Sequence, residues 1–238
     1  MGRQAAVPRA SFETRGAAEV NRLETAHGAI PLALDGRGDA ATAVVLAHGA
    51  GAGMVSPFME AAAAGIAGGP VAVWRFNFPY IENNRKAPDR AAVLEETYRA
   101  VGDHIAGLDA HDRILLGGKS MGGRIASQIV SNGWPAQGLV FLGYPLQPPG
   151  RPDRVRDEHL YSVSVPMLFV AGTRDPFCPL DVLASVRDRL SAPSELVVVD
   201  DGDHSFKVRK SSGRSSADAL REVFSATRKW IEGVTGKA

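Results

Sequence analysis

A short apolar run, Ile114-Leu115-Leu116, passes directly into Gly117-Gly118-Lys119-Ser120-Met121-Gly122-Gly123-Arg124. Gly118 to Gly122 spells G-x-S-x-G, and the residues that follow have helical spacing. A strand that becomes a helix within so few residues needs one tight corner, which holds the Ser120 hydroxyl clear of the backbone as a nucleophile elbow does. Glycine suits positions 118 and 122 because strand and helix approach too closely there to admit a Cβ. The spelling is weak alone; the strand before it and the helix after it give it force.

Two phosphate-binding readings fail on spelling. A P-loop needs G-x-x-x-x-G-K-[ST], and the first glycine it requires falls on Arg113. The turn His48-Gly49-Ala50-Gly51-Ala52-Gly53-Met54 also follows an apolar run. Read as G-x-G-x-x-G, however, it meets Met54 from Gly49 and Ser56 from Gly51. The next run ends in Trp74-Arg75-Phe76-Asn77, without the acid that would hold a ribose. No cofactor is expected.

From Ala43 onward, short apolar runs alternate with longer helical ones, which predicts an α/β fold with a mainly parallel central sheet and helices on both faces. The strand candidates are Ala43–Ala47, Val71–Trp74, Arg113–Leu116, Leu139–Leu142, Met167–Ala171 and Leu196–Val199. They are mostly apolar throughout, as strands covered on both faces should be. The helix candidates are Pro57–Ala67, Arg90–Leu108, Gly122–Ser131, Leu180–Leu190 and Ser215–Ile231. The chain before about Ala40 supplies one or two edge strands, with its first ten residues expected to be disordered. A chain of 238 residues with 45% hydrophobic content fits one domain spanning residues 1–238. The irregular stretch Tyr144–Ser164 lies where a lid would be inserted, and its length allows one short helix, so the site should have a minimal lid or none.

A net charge of +1 carries no global field that would select nucleic acid or an anionic membrane as partner. The single cysteine, Cys178, excludes an intrachain disulfide framework and reads as a small buried side chain in a reducing compartment. The first residues lack the apolar core of a signal peptide, and no apolar run reaches ~20 residues. These features predict a cytoplasmic protein.

A serine hydroxyl attacks poorly until an imidazole removes its proton, and the imidazole in turn needs an acid to orient it. Asp175 follows the run Met167–Ala171, and His204 follows Leu196–Val199, so strand ends can gather both beside Ser120. Asp200, Asp201 and Asp203 lie nearer His204 in sequence and remain alternatives for the acid. An alkoxide formed during attack needs donors, here the backbone N–H of Met121 and one from Ala50 or Gly51.

The ordered set His48-Gly49-Ala50-Gly51, Arg75-Phe76-Asn77-Phe78-Pro79-Tyr80, Gly117–Arg124, Gly172-Thr173-Arg174-Asp175 and Gly202-Asp203-His204-Ser205-Phe206 resembles the α/β-hydrolase superfamily. Within it the chain is most similar to the small, lid-poor group near dienelactone hydrolases. The nearest subgroup includes the testis-expressed and NSL-complex-subunit hydrolase-like proteins and their bacterial relatives. The resemblance implies Ser120, Asp175 and His204 as a catalytic triad acting on a small ester, thioester or related acyl substrate. Dienelactone hydrolases carry a cysteine where this chain has Ser120, so dienelactone itself is not implied. Eukaryotic members of the subgroup include non-enzymatic complex subunits, which leaves a binding or scaffold subunit with a protein partner as the alternative.

Asn77, Phe78, Tyr80 and Lys119 are candidates for contact with substrate. Lys119, Arg124, Arg75, Arg85, Lys86 and Arg90 form a basic group able to attract an anionic substrate, set against the acids Glu82, Asp89, Glu95 and Glu96.

Overall fold

The computed structural model describes residues 20–148, 150–151 and 153–236. The expectation about the first ten residues lies outside these. Eight strands form one sheet: β1 (Val20–Thr25), β2 (Gly28–Asp35), β3 (Thr42–Ala47), β4 (Val71–Phe76), β5 (Arg113–Lys119), β6 (Leu139–Leu142), β7 (Met167–Gly172) and β8 (Ser194–Val199). Their order is β1-β2-β4-β3-β5-β6-β7-β8. The pairs β1–β2 and β2–β4 are antiparallel, while β4 through β8 run parallel. Every predicted strand is present, and the N-terminal part supplies two edge strands, as expected, paired as a hairpin.

Among the described residues there are six α-helices, five between strands and one after the last: α1 (Pro57–Ile66), α2 (Pro79–Glu82), α3 (Ala91–Ala106), α4 (Met121–Ser131), α5 (Leu180–Arg187) and α6 (Ser216–Thr235). Side chains alternate across a strand, so a strand buried on both sides divides its residues between two cores. Ala43, Val45 and Ala47 of β3 join a cluster with Tyr98 and Ile105 of α3 and Ile125 of α4. Val44 and Leu46 join the opposite cluster, with Met59 and Ile66 of α1 and Phe224 of α6. Helix α6 begins with a capping box in which Ser215 and Asp218 satisfy each other's backbone N–H.

Strand β3 pairs with β4 on one side and β5 on the other. The chain therefore reverses its direction of winding at β3, and a crevice opens at the carboxyl ends of these strands, where open α/β sheets bind ligands. Over this rim the segment 144–164 contributes one short 3-10 helix, Glu158–Ser162, and no inserted lid domain.

Candidate active site

The corner after β5 is sharp. Ser120 sits at φ 50°, ψ −114°, a conformation rarely adopted by residues with a side chain. A Cβ on Gly118 would lie 2.3 Å from the Ala47 carbonyl oxygen, and one on Gly122 2.2 Å from the same atom. Strand β3 thus presses against both flanks of the corner, and glycine at each flank is what lets β5 and α4 meet.

The side chain of Ser120 is half-buried and faces the loop after β8. His204 Nε2 lies 2.9 Å from Ser120 Oγ, and His204 Nδ1 lies 2.8 Å from Asp175 Oδ2. An ionised carboxylate only accepts, so Nδ1 carries the proton and Nε2 is left to accept from the serine. The Asp175 side chain is fully buried, and the Phe177 backbone N–H donates to its Oδ1 at 2.9 Å. Phe177 also sets its ring edge-on against the imidazole, with centroids 4.8 Å apart. Two of the three alternative acids have other partners. Asp201 pairs with Arg174 and Arg209, and Asp203 accepts the N–H groups of Ser205 and Lys207.

The Met121 N–H opens α4 with no backbone acceptor among the described residues. Across from it, the loop after β3 is braced from behind. The Phe78 N–H donates to His48 Nε2 at 3.1 Å, which forces the ring proton onto Nδ1, from where it reaches the Gly49 carbonyl at 2.8 Å. Burial pushes the His48 pKa down to about 4, consistent with this neutral ring. The Tyr80 hydroxyl donates to the Ala50 carbonyl at 3.0 Å, and burial pushes its pKa up to about 12. No peptide bond is cis among the described residues. With both carbonyls turned inward, the N–H groups of Ala50 and Gly51 therefore turn the opposite way.

A cleft of about 280 Å³ lies over Ser120, lined by residues that include Ala50, Asp89, Met121, Arg124, Arg156 and Phe177. Ala50 and Met121 border it; Gly51 is exposed beside it. Asn77, Phe78, Tyr80 and Lys119, expected to contact substrate, are buried and are not among the residues that line this cleft. Asn77 accepts from the Met54 N–H and donates to Glu82. Lys119 Nζ donates to the His204 carbonyl at 2.7 Å, beneath the rings of Phe58 and Phe206. Burial pushes its pKa down to about 8, against the opposing pull of Asp175 and Asp203. Of the other basic candidates, Arg75 is paired with Asp35 and Arg85 with Asp89. Cys178 is buried, and burial beside Asp175 pushes its thiol up to about 12.

A second serine–histidine pair stands further along α4, one turn after Arg124. Ser127 Oγ lies 2.8 Å from His159 Nε2, and the Tyr144 hydroxyl lies 3.1 Å from the same nitrogen. Ser127 is fully buried, and it also donates to the Arg124 carbonyl. No side-chain carboxylate bonds to His159 among the described residues. The pair fastens α4 to the segment that crosses above it.

The family described as an alpha/beta hydrolase domain matches residues 40–232, which spans the sheet from β3 to β8 and the whole of this site. The chain belongs to that family. Among solved structures, this α/β hydrolase is similar to an alpha-beta serine hydrolase homologue from Coxiella burnetii, at 19% identity, TM-score 0.70, and 90% and 99% coverage of the two chains. It is also similar to XC6422 from Xanthomonas campestris, described as an a/b serine hydrolase without lid, at 22% identity, TM-score 0.67, and 93% and 97% coverage. A dienelactone hydrolase from Anabaena variabilis matches at 19% identity, TM-score 0.67, and 91% and 97% coverage. At these identities the likeness is one of fold. Among the described residues no helix is long and apolar enough to cross a membrane.

Arg156 and Phe177 escaped the sequence reading. Both lie in irregular segments, where no periodicity predicts which way a side chain faces. His48 directly precedes a loop of small residues, and a histidine in that place is a signal that the loop needs bracing.

Proposed function

We propose that this chain is a serine hydrolase of small esters, thioesters or related acyl substrates, contained in one cytoplasmic domain. It would belong to the lid-poor subgroup of the testis-expressed and NSL-complex-subunit hydrolase-like proteins and their bacterial relatives. The observation that carries the reading is His204, hydrogen-bonded at once to Ser120 and to the buried Asp175. In this mechanism Ser120 Oγ attacks the acyl carbonyl as His204 Nε2 takes its proton, and Asp175 stabilises the resulting imidazolium. The N–H groups of Met121 and of Ala50 or Gly51 receive the oxyanion. The carbonyl–leaving-group bond then breaks and His204 returns the proton to the departing oxygen or sulfur. Water, deprotonated by the same imidazole, releases the acid and restores the serine hydroxyl. Each step uses protein groups and water alone.

The test is labelling with a fluorophosphonate probe followed by peptide mapping. The adduct is expected on Ser120 and absent from Ser120→Ala, with short p-nitrophenyl esters cleaved only by the wild type. A folded protein that neither labels nor turns over refutes the reading and leaves a binding subunit, recognisable by a stable partner that Ser120→Ala retains.

A further inference from the structure

Arg124 and Arg156 both line the cleft over Ser120, one from the first turn of α4 and the other from the segment crossing above. Neither has an ion-pair partner among the described residues. Arg124 donates through one Nη to Gln128 at 3.0 Å, and its Nε is buried with no hydrogen-bond partner. The two guanidiniums are close enough that Arg124, together with Arg154 and behind the larger effect of burial, pushes the Arg156 pKa down.

The carboxylates at hand form their ion pairs with other arginines. Asp157, next to Arg156 in sequence, bonds to the Tyr161 hydroxyl and pairs with Arg189 at 3.6 Å. Asp89 also lines the cleft; its Oδ1 pairs with Arg85, while its Oδ2 is buried with no hydrogen-bond partner. Two like charges facing each other across a partly desolvated cleft oppose folding, and a buried N–H without an acceptor adds to that penalty. A planar guanidinium offers a fork that matches an anionic oxygen pair, and an anion placed between two of them relieves both defects.

We infer that the cleft takes an acyl substrate bearing a carboxylate, held by Arg124 and Arg156 while its ester or thioester carbonyl lies against Ser120. This inference rests on Ser120 being the reacting residue. At about 280 Å³ the cleft suits a short substrate, with the charged group only a few bonds from the carbonyl.

The experiment compares kcat/KM for charged esters and neutral ones of the same size. With the carboxylate in the leaving group the pair is 4-carboxyphenyl acetate and 4-carbamoylphenyl acetate. With the carboxylate in the acyl group the pair is the mono-4-nitrophenyl ester of adipic acid and its terminal amide. The wild type should favour the anionic member of one pair by about ten-fold or more, as a charge-assisted hydrogen bond allows. The preference should shrink as sodium chloride is raised. Arg156→Gln, and separately Arg124→Gln, should collapse the ratio.

Equal rates for charged and neutral esters in the wild type would overturn the inference while leaving the serine hydrolase reading standing, as would a ratio untouched by both substitutions. Titration calorimetry of the same four esters into Ser120→Ala reads the preference without turnover. Anion-selective binding that Arg156→Gln removes, in a protein inert to fluorophosphonate, would keep the arginine site and refute the hydrolase. Absence of anion selectivity in both measurements would refute the arginine site.

Discussion

Lys119 Nζ donates to the backbone carbonyl of His204 at 2.7 Å. The residue before the strained serine thereby grips the residue that carries the imidazole, beside the rings of Phe58 and Phe206. Replacing it with Met keeps the length and the apolar stem but removes the donor. Lys119→Met is expected to lower kcat about ten-fold through a displaced imidazole, with KM changed far less. Steady-state kinetics on a short ester check it, and an unchanged kcat would show that the loop holds itself.

Two serine–histidine pairs allow a clean discrimination. Ser127 has no exposed surface and does not line the cleft over Ser120, so a probe cannot reach it. Ser127→Ala should still label with fluorophosphonate, whereas Ser120→Ala should not. Mass spectrometry of the labelled peptide decides the matter, and an adduct on Ser127 would reverse the assignment.

Tyr80 bears on the reaction through the loop it braces. Tyr80→Phe removes the hydroxyl that pins the Ala50 carbonyl at 3.0 Å and frees that peptide to rotate. A loss of about ten-fold in kcat is expected, with about 1 kcal/mol of stability lost, since one neutral hydrogen bond disappears. Urea denaturation and kinetics together separate the two effects. Lost stability with full kcat would mean that the Ala50 and Gly51 N–H groups receive no oxyanion.

His48 should make the fold acid-sensitive. In the native state burial holds its pKa near about 4, against the ordinary value of 6.5. Between these two pH values the unfolded chain binds the extra proton, so stability is full above 6.5 and declines as the pH falls toward 4, by about 3 kcal/mol at the lower limit. Protonation of Nε2 would also put a donor against the Phe78 N–H. His48→Gln should flatten this part of the stability–pH curve. An unaltered slope would place the acid sensitivity elsewhere, with His159 the next candidate because its pKa is also pushed down to about 4 by burial.

Much of this molecule could be read before it was seen. Strands buried on both faces have no polar side to show, so β3 to β7 stood out as apolar runs, and the order Ser120, Asp175, His204 followed the strands in turn. Among four aspartates, Asp175 was favoured by its place after β7, whereas sequence distance, which favours Asp200, Asp201 and Asp203, says nothing of which carboxylate a turn presents. The direction of Lys119 follows from parity along the strand. Residues 115, 117 and 119 of β5 share a face, and Leu115 belongs to the core of α1 and α6, so Lys119 had to point beneath the sheet. Helix α2 is a single turn after Pro79, too short for any periodicity. Arg156 lies in a segment with no repeat at all, and only the folded chain brings it to the cleft that Arg124 lines.

Ser120 occupies a left-handed backbone conformation, φ 50°, that glycine would adopt with about 1 kcal/mol less discomfort. At this one corner, then, endurance and usefulness pull apart. A population of variants chosen only for surviving heat would drift toward glycine at position 120, growing hardier as it fell silent. A screen meant to toughen this protein must keep a chemical readout in every round.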